Sequence, residues 1–449
     1  MSIILTTNSP EKQVSWRQAL AHSVALSLLF MIVYGGASWI TSLRSDVGTW
    51  YYAWERFIPF VPIMIIPYMS IDLFFAGAPF LCSDKRELQI FSKRIVLGIL
   101  IAGTCFLVYP LELATERPEM GGWLGVIWKW FIGMDRPFNL LPSLHIILRT
   151  ILADIYARHT HGFWRVASSI WFGLIGFSTL LMHQHHVVDV IGGFIVAAIC
   201  FYVINDVPLH LPMVRNSRVG WQYAGLCASL AILCFLTWPW GTILLWPLIS
   251  VAIVTAGYFH TGPGFFRKSY GRLPLSARIV LAPVLLGQYA SWLYYKRHCR
   301  PWDEVSPGVW IGRRLSDAEA RDAVNAGVTA VLDLSDAFSE ARPFIALEYR
   351  HIPILDLTAP TAAQLSEAVE FIQGHAKSGI VYVHCKIGYS RSAAVVAAWL
   401  YDAGRAHSVD EAITLLRSRR PAIVIRPEIS VALSNFAIST ATSANRTSI

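Results

Sequence analysis

The chain has 449 residues, 55% of them hydrophobic and only 15% charged, and its mean hydropathy is +0.48. A soluble domain carries roughly a quarter charged residues, so this composition excludes a wholly soluble protein. The formal net charge of +8 comes from basic residues set between apolar runs, which reads as a membrane-topology signal rather than a nucleic-acid surface.

A helix needs about 20 mostly apolar residues to cross a bilayer. Runs of that kind lie at 18–40, 57–80, 94–110, 143–158, 166–183, 187–206, 221–238 and 241–260. A ninth apolar stretch, 277–295, is basic on both flanks and carries Pro283. Two basic flanks suit a re-entrant or surface segment whose ends share one side; a full span would put the tail outside. With the N-terminus inside, the loops rich in Lys and Arg all fall on the cytoplasmic side. The expected fold is a polytopic α-helical membrane domain of about eight spans plus a re-entrant helix, followed by a soluble α/β domain. The expected boundaries are 1–210 for the membrane-embedded domain, 211–300 for additional helices and linker, and 301–449 for the soluble domain. The seven cysteines contain no CxxC pair, so neither a disulfide framework nor a zinc site is indicated.

Three stretches of the apolar region hold polar groups that a bilayer rejects unless they serve a function. They are "ERP" at 116–118, "RPFNLLPSLH" at 136–145 and "STLLMHQHHVVDV" at 178–190. All three fall on the outer side in this topology. On a helix, His185 and Asp189 stand at i and i+4 and share a face. The carboxylate can then orient the imidazole as a nucleophile, with His145 placed to protonate a leaving oxygen. His183, His185 and His186 also lie close together as alternative metal ligands; no metal and no cofactor is expected.

These residues resemble the type 2 phosphatidic acid phosphatase superfamily, whose motifs are KxxxxxxRP, PSGH and SRxxxxxHxxxD. Pro142-Ser143-Leu144-His145 matches the second motif with Leu for Gly, a variant similar to the inositol phosphorylceramide synthase branch. The resemblance implies metal-free catalysis through a phospho-histidine at His185, supported by Asp189 and His145, with Ser143 and an arginine binding phosphate. Arg117 and Arg136 both stand in RP dipeptides and are both candidates. Thr179 occupies the arginine position of the third motif. Arg149, one turn below His145, is the candidate substitute; the alternative is a pairing with Asp154.

From Trp302 onward the pattern becomes alternating strands and helices. "GVWIGRR", "GVTAVLDLS", "EYRHIPI" and "GIVYVHC" read as short buried strands. "SDAEARDAVNAG", "TAAQLSEAVEFIQGHAKS", "SRSAAVVAAWLYDAGR" and "SVDEAITLLRSRR" read as amphipathic helices. Such alternation builds a mostly parallel sheet covered on both faces. "HCKIGYSRS" puts Cys385 at a strand end, Gly388 in the turn and Arg391 at a helix start. A loop of N–H groups opening a helix is an anion site, and its field favours a thiolate. Arg391 offers a planar fork for two phosphate oxygens, and Ser392 can hydrogen-bond the sulfur.

This nonapeptide resembles the HCxxGxxRS signature of the dual-specificity branch of the protein tyrosine phosphatases, over roughly 302–437. The resemblance implies a cysteinyl-phosphate on Cys385 and a general-acid Asp on an upstream loop. Asp356 fits that role, 29 residues before Cys385; Asp333 and Asp336 are weaker candidates. Lys386, Gly388 and Ser390 belong to the phosphate-binding loop. The run around Lys386 is also similar to the phosphatidylglycerophosphate phosphatases, with Tyr389 where those carry a second basic residue.

The expectation is a multi-pass inner-membrane enzyme with two phosphatase sites on opposite faces. The N-terminus and cysteine domain would be cytoplasmic. Expected partners are phospholipid or isoprenoid-phosphate substrates, phosphoproteins and the bilayer, but no nucleic acid. The alternatives are a lipid phosphotransferase with a regulatory tail, and a degenerate membrane anchor carrying an active cysteine phosphatase.

Overall fold

The computed structural model describes residues 13–447 except 116, 207–214 and 238–239. Glu116 and the boundary expected near 210 therefore lie outside the described residues. The chain divides into two units, Met1–Pro208 and Leu209–Ile449.

The first unit is helical. Among the described residues of the whole chain, five helices are long and apolar enough to cross a membrane. Four of them, Trp16–Thr41, Pro62–Leu81, Lys85–Val108 and Gly162–Leu181, belong to this unit. Lys85–Val108 starts nine residues earlier than its apolar run, because Asp84 caps it by accepting from the Glu87 N–H and its first turns are amphipathic. This helix supplies Phe91, Ile95 and Ile99 to the core, where they meet Ile147 and Ile151 of Leu144–His159 and Phe172 of Gly162–Leu181. Outward faces are apolar too, as at Leu73, Val108, Phe163 and Phe177, the pattern of a protein whose solvent is lipid. Gly122–Met134 is a helix that hydropathy alone does not assign; its 13 residues reach only about 20 Å.

Leu144–His159 and Val187–Val203 both start at the polar motifs. Their opposite ends meet a charged network. There Arg158 pairs with Asp154 and Asp206, both at 2.7 Å, and Arg94 pairs with Asp206 at 3.1 Å. At Gly193 a Cβ would come within 2.8 Å of the Ser143 carbonyl oxygen. Only glycine lets Val187–Val203 pack this closely on the PSLH turn.

The second unit opens with an apolar helical hairpin, Ser217–Leu236 and Leu245–Ala256, prolonged by Gly257–Thr261. The stretch expected to be re-entrant is broken into Leu275–Val280 and Ala282–Lys296, with Pro283 in the first turn of the second helix. Both flanks of this pair are tied to the α/β domain. On one side the Leu273 N–H donates to Ser339 Oγ at 3.0 Å; on the other Lys296 pairs with Glu319 at 3.1 Å.

The α/β domain has five strands: β1 (Trp302–Ser306), β2 (Val309–Arg313), β3 (Val328–Asp333), β4 (Glu348–His351) and β5 (Ile380–Cys385). Their order is β1-β2-β5-β3-β4, parallel except for β1 against β2. The sheet is thus mostly parallel, and β1 is the one strand the sequence pattern did not bring out. The predicted helices fall at Asp317–Asn325, Ala362–His375, Arg391–Asp402 and Val409–Arg419. Arg391–Asp402 is buried from Arg391 to Leu400, which explains its continuous small and apolar composition. Lys268, one of the basic residues set between the apolar runs, is buried. Its ammonium contacts Asp333 Oδ2 and donates to the Ser335 carbonyl.

Candidate phosphate-handling sites

Cys385 ends β5, next to Arg313 of β2, at the carboxyl edge of the parallel strands, where such sheets hold ligands. The chain then turns over Gly388, whose φ is +80°. A Cβ there would lie 2.4 Å from the Gly312 carbonyl oxygen, so the turn requires glycine on two counts. The Gly388 N–H donates to Cys385 Sγ at 3.2 Å, and Ser392 Oγ lies 3.5 Å from the same sulfur. Arg391 starts its helix and is 5% exposed. It donates to the Ile354 carbonyl at 3.0 Å and meets Asp356 Oδ1 at 3.1 Å.

Burial opposes ionisation of Cys385. The charge of Arg391, with hydrogen bonds from Ser392 and Gly388, outweighs it and brings the thiol down to about 7. Burial likewise opposes the Asp356 carboxylate, yet Arg391 and then Lys386 hold it below its ordinary value. Burial lowers Lys386, which donates to Gln288 Oε1 at 2.7 Å and lines the same cavity as Arg391 and Asp356. Ser390 is the residue preceding the helix, and its side chain makes no cap hydrogen bond.

The two weaker acid candidates separate. Asp333 is buried in a network with Lys268, Tyr349 and Ser335 and lies away from the cavity lining. Asp336 does line the cavity, is raised by burial, and faces His351 at 3.4 Å. His384 is also buried, 2.9 Å from Glu340. Burial opposes its charge, but Glu340 and Asp333 raise it. Asp333, Glu340 and His384 have metal-ligand types within reach of one another, but the Lys268 ammonium already occupies Asp333.

In the first unit, His145 and His185 face one cavity of ≈ 550 Å³, with Asp72, Asp135 and Asn139 also on its wall. His145 stacks on Tyr68, with ring centroids 4.3 Å apart. His185 Nδ1 lies 3.6 Å from Asp189 Oδ2. The helical i, i+4 expectation is corrected here. Val187–Val203 begins after His185, and the approach comes from a capping turn in which Asp189 accepts from the His186 N–H at 2.7 Å. His145 Nε2, His185 Nδ1 and Asp189 Oδ1 are all buried without a hydrogen-bond partner. The three histidines diverge: His183 bonds the Ile58 carbonyl and His186 bonds Glu55.

The phosphate-binding candidates of this unit are dispersed. Arg117 pairs with Asp135 at 2.6 Å and so borders the cavity through that carboxylate. Arg136 bonds the Ser42 hydroxyl, and neither it nor Arg149 is on the cavity wall. Arg149 donates to the Phe172 carbonyl at 2.9 Å, while Asp154 pairs with Arg158 and Arg94. The expected Arg149–Asp154 alternative is thus replaced by a backbone contact. Ser143 is fully buried, and its hydroxyl caps Leu144–His159 by accepting from the Ile146 N–H. Sequence reasoning missed Glu55, Tyr68 and Asp135. The available signal for Glu55 and Asp135 was a carboxylate flanked by apolar runs on the same side as the motifs.

Residues 310–438 match the dual specificity phosphatase catalytic domain, and residues 131–203 match the PAP2 superfamily. Mouse dual specificity phosphatase 28 is 33% identical over 129 residues, covering 27% of this chain and 74% of that protein. The chain belongs to the dual-specificity phosphatases. An Arabidopsis thaliana protein, phosphatidylglycerophosphate phosphatase PTPMT2, is 29% identical over 177 residues, covering 37% of this chain and 77% of that protein. Mouse dual specificity protein phosphatase 12 is 34% identical over 122 residues, 26% of this chain and 36% of that protein. This dual-specificity phosphatase is a phosphoric monoester hydrolase. It joins its catalytic domain to a PAP2-superfamily domain, and five helices among its described residues are long and apolar enough to cross a membrane.

Proposed function

We propose that this phosphatase hydrolyses phosphomonoesters at Cys385 through a cysteinyl-phosphate. The observation that carries the reading is the convergence of the Gly388 N–H, the Ser392 hydroxyl and the Arg391 charge on one sulfur at about 7. The thiolate attacks phosphorus as the P–O ester bond breaks, and Asp356 gives its proton to the leaving oxygen. Asp356 is ionised beside Arg391 in the free site. An entering phosphate dianion takes up the Arg391 fork and sets negative charge beside the carboxylate, which draws a proton onto it. Water then attacks the cysteinyl-phosphate, gives its proton to Asp356, and releases phosphate and thiolate. Lys386, Gly388 and Ser390 complete the oxyanion cradle. The substrates are lipid phosphates, as the plant relative's name suggests, or phosphoprotein side chains.

The membrane unit supplies a second site, with His185 as nucleophile, Asp189 orienting it and His145 as acid. The unpartnered buried nitrogens of His145 and His185 on one cavity wall, with the Asp189 carboxylate 3.6 Å from His185, support this reading. Arg117 reaches the phosphate if it leaves Asp135; Arg136 and Arg149, which lie off the cavity wall, and Ser143, whose hydroxyl caps its helix, take no direct part in this reading. Capture of the phospho-histidine by an alcohol rather than water would make this unit a transferase. The orientation is N-terminus and cysteine domain inside, histidine site outside, with 275–296 entering and leaving on one face. The ties of both its flanks to the α/β domain support that course. The organisation is then an embedded PAP2 domain, additional helices and a cytoplasmic phosphatase domain.

The test compares His185→Ala and Cys385→Ser on a lipid phosphate and a phosphotyrosine peptide, measuring free phosphate and any new phospholipid. Cys385→Ser is expected to lose roughly 10³-fold or more on the ester its site uses, and His185→Ala to lose the remaining lipid-phosphate turnover. Full activity of Cys385→Ser on every ester would sink the cysteine mechanism.

A further inference from the structure

The cavity lined by Arg391, Lys386 and Asp356 of the catalytic loop region is not made by the phosphatase domain alone. Its floor is Arg391, Lys386 and Asp356, but its roof is Tyr223, Val254, Tyr258, Phe265 and Val284. These come from the helical segment that precedes the catalytic domain. Tyr223 and Tyr258 stack, with centroids 5.4 Å apart. Tyr223 lies on a helix long and apolar enough to cross a membrane, Ser217–Leu236. The outer face of this segment is apolar as well: Trp221, Phe235 and Leu286 are exposed. The free volume between roof and floor is ≈ 20 Å³, room for about one water.

A substrate phosphate therefore enters only by parting this roof, and the chemistry of the roof decides which ester does so at least cost. A hydrophilic ester, or a phosphorylated side chain on a folded protein, separates Tyr223, Val254 and Val284 from their neighbours and returns nothing to them. An alkyl chain attached to the phosphate replaces the lost apolar contacts with its own. Each methylene so received improves binding by about fourfold. Resting on the cysteine mechanism above, we infer that the helices lining the cavity of Arg391 and Lys386 form an apolar receiving wall. The site's substrate is then the phosphomonoester of a membrane amphiphile, entering tail-alongside from the lipid rather than from water.

The experiment uses full-length protein carrying His185→Ala, so that the histidine site contributes nothing, in mixed micelles. Alkyl monophosphates of four, eight and twelve carbons are hydrolysed, with a phosphotyrosine peptide in parallel, and Cys385→Ser in the same background sets the blank. The expected kcat/KM rises at least ~10-fold from the shortest to the longest ester. Val284→Asn, which sets an amide into the half-buried wall, is expected to cut the long-to-short ratio by ~10-fold. Iodoacetamide titration of Cys385 checks that this variant keeps its catalytic loop. A second wall variant, Tyr223→Ser, is expected to lower the same ratio. A flat chain-length series, or a peptide used better than the twelve-carbon ester, overturns the wall while leaving Cys385 as nucleophile. Turnover that persists in the blank overturns the cysteine mechanism itself.

Discussion

Cys385 sits where two opposing effects meet: burial, which disfavours a thiolate, and a fixed cation with two donors, which favour it. The thiol is lowered, so the reactive form gains population as pH rises through about 7. The rate of iodoacetamide inactivation is expected to follow that titration. Ser392→Ala removes one donor and is expected to move the midpoint upward by roughly half to one unit. An unchanged midpoint would show that the 3.5 Å contact carries no weight. Gly388 makes a separate demand at this scale. Gly388→Ala forces a side chain into φ +80° and against the Gly312 carbonyl. It is expected to cost about 1–3 kcal/mol, read as a lower thermal midpoint and as loss of the fast-alkylating thiol.

At the scale of elements, the loop carrying Asp356 is held from outside its own domain's sheet. Tyr258 Oη donates to the Asp356 carbonyl at 3.0 Å, and Asn216 Nδ2 donates to the Leu357 carbonyl at 2.5 Å. The Asn216 N–H donates in turn to the Tyr258 carbonyl. Leu357 has a positive φ of +60°, so the loop is strained at the point where it is held. Asn216→Ala is expected to lower kcat several-fold for phosphate esters with poor leaving groups and to spare those with good ones, because only the former need the acid. An equal loss on both would argue for general loosening instead. The Lys268–Asp333 pair is a second such link, between the segment after the hairpin and β3. Lys268→Met leaves the Asp333 charge buried with less compensation and is expected to destabilise by about 3–5 kcal/mol, measured by denaturant unfolding of the purified protein in detergent.

For the whole molecule the issue is which face of the bilayer carries the thiolate. A reducing compartment preserves Cys385, and the flanks of 275–296 both return to the α/β domain. A membrane-impermeant maleimide on intact cells is expected to leave Cys299 and Cys385 unlabelled until the membrane is permeabilised. Rapid labelling of Cys299 before permeabilisation would reverse the orientation.

Legibility in the sequence followed the range of the interactions involved. The HCKIGYSRS loop, four of the five strands and four of the helices of the α/β domain could be read because their signals are local: a nine-residue turn, alternation, caps and helical periodicity. Five of the eight apolar runs hold helices long and apolar enough to cross a membrane among the described residues, legible because lipid demands composition rather than order. The His185–Asp189 approach was read correctly as a pair but for the wrong reason, since a capping turn and a helix bring the same two positions together. What tertiary structure alone decided is contact across long separations: Arg149 on a backbone carbonyl rather than Asp154, Lys268 sunk beside Asp333, Glu55 against His186, and the helical wall facing Arg391 and Lys386. No local pattern encodes these, because a buried charge or an apolar wall takes its meaning from the residues that folding places opposite it.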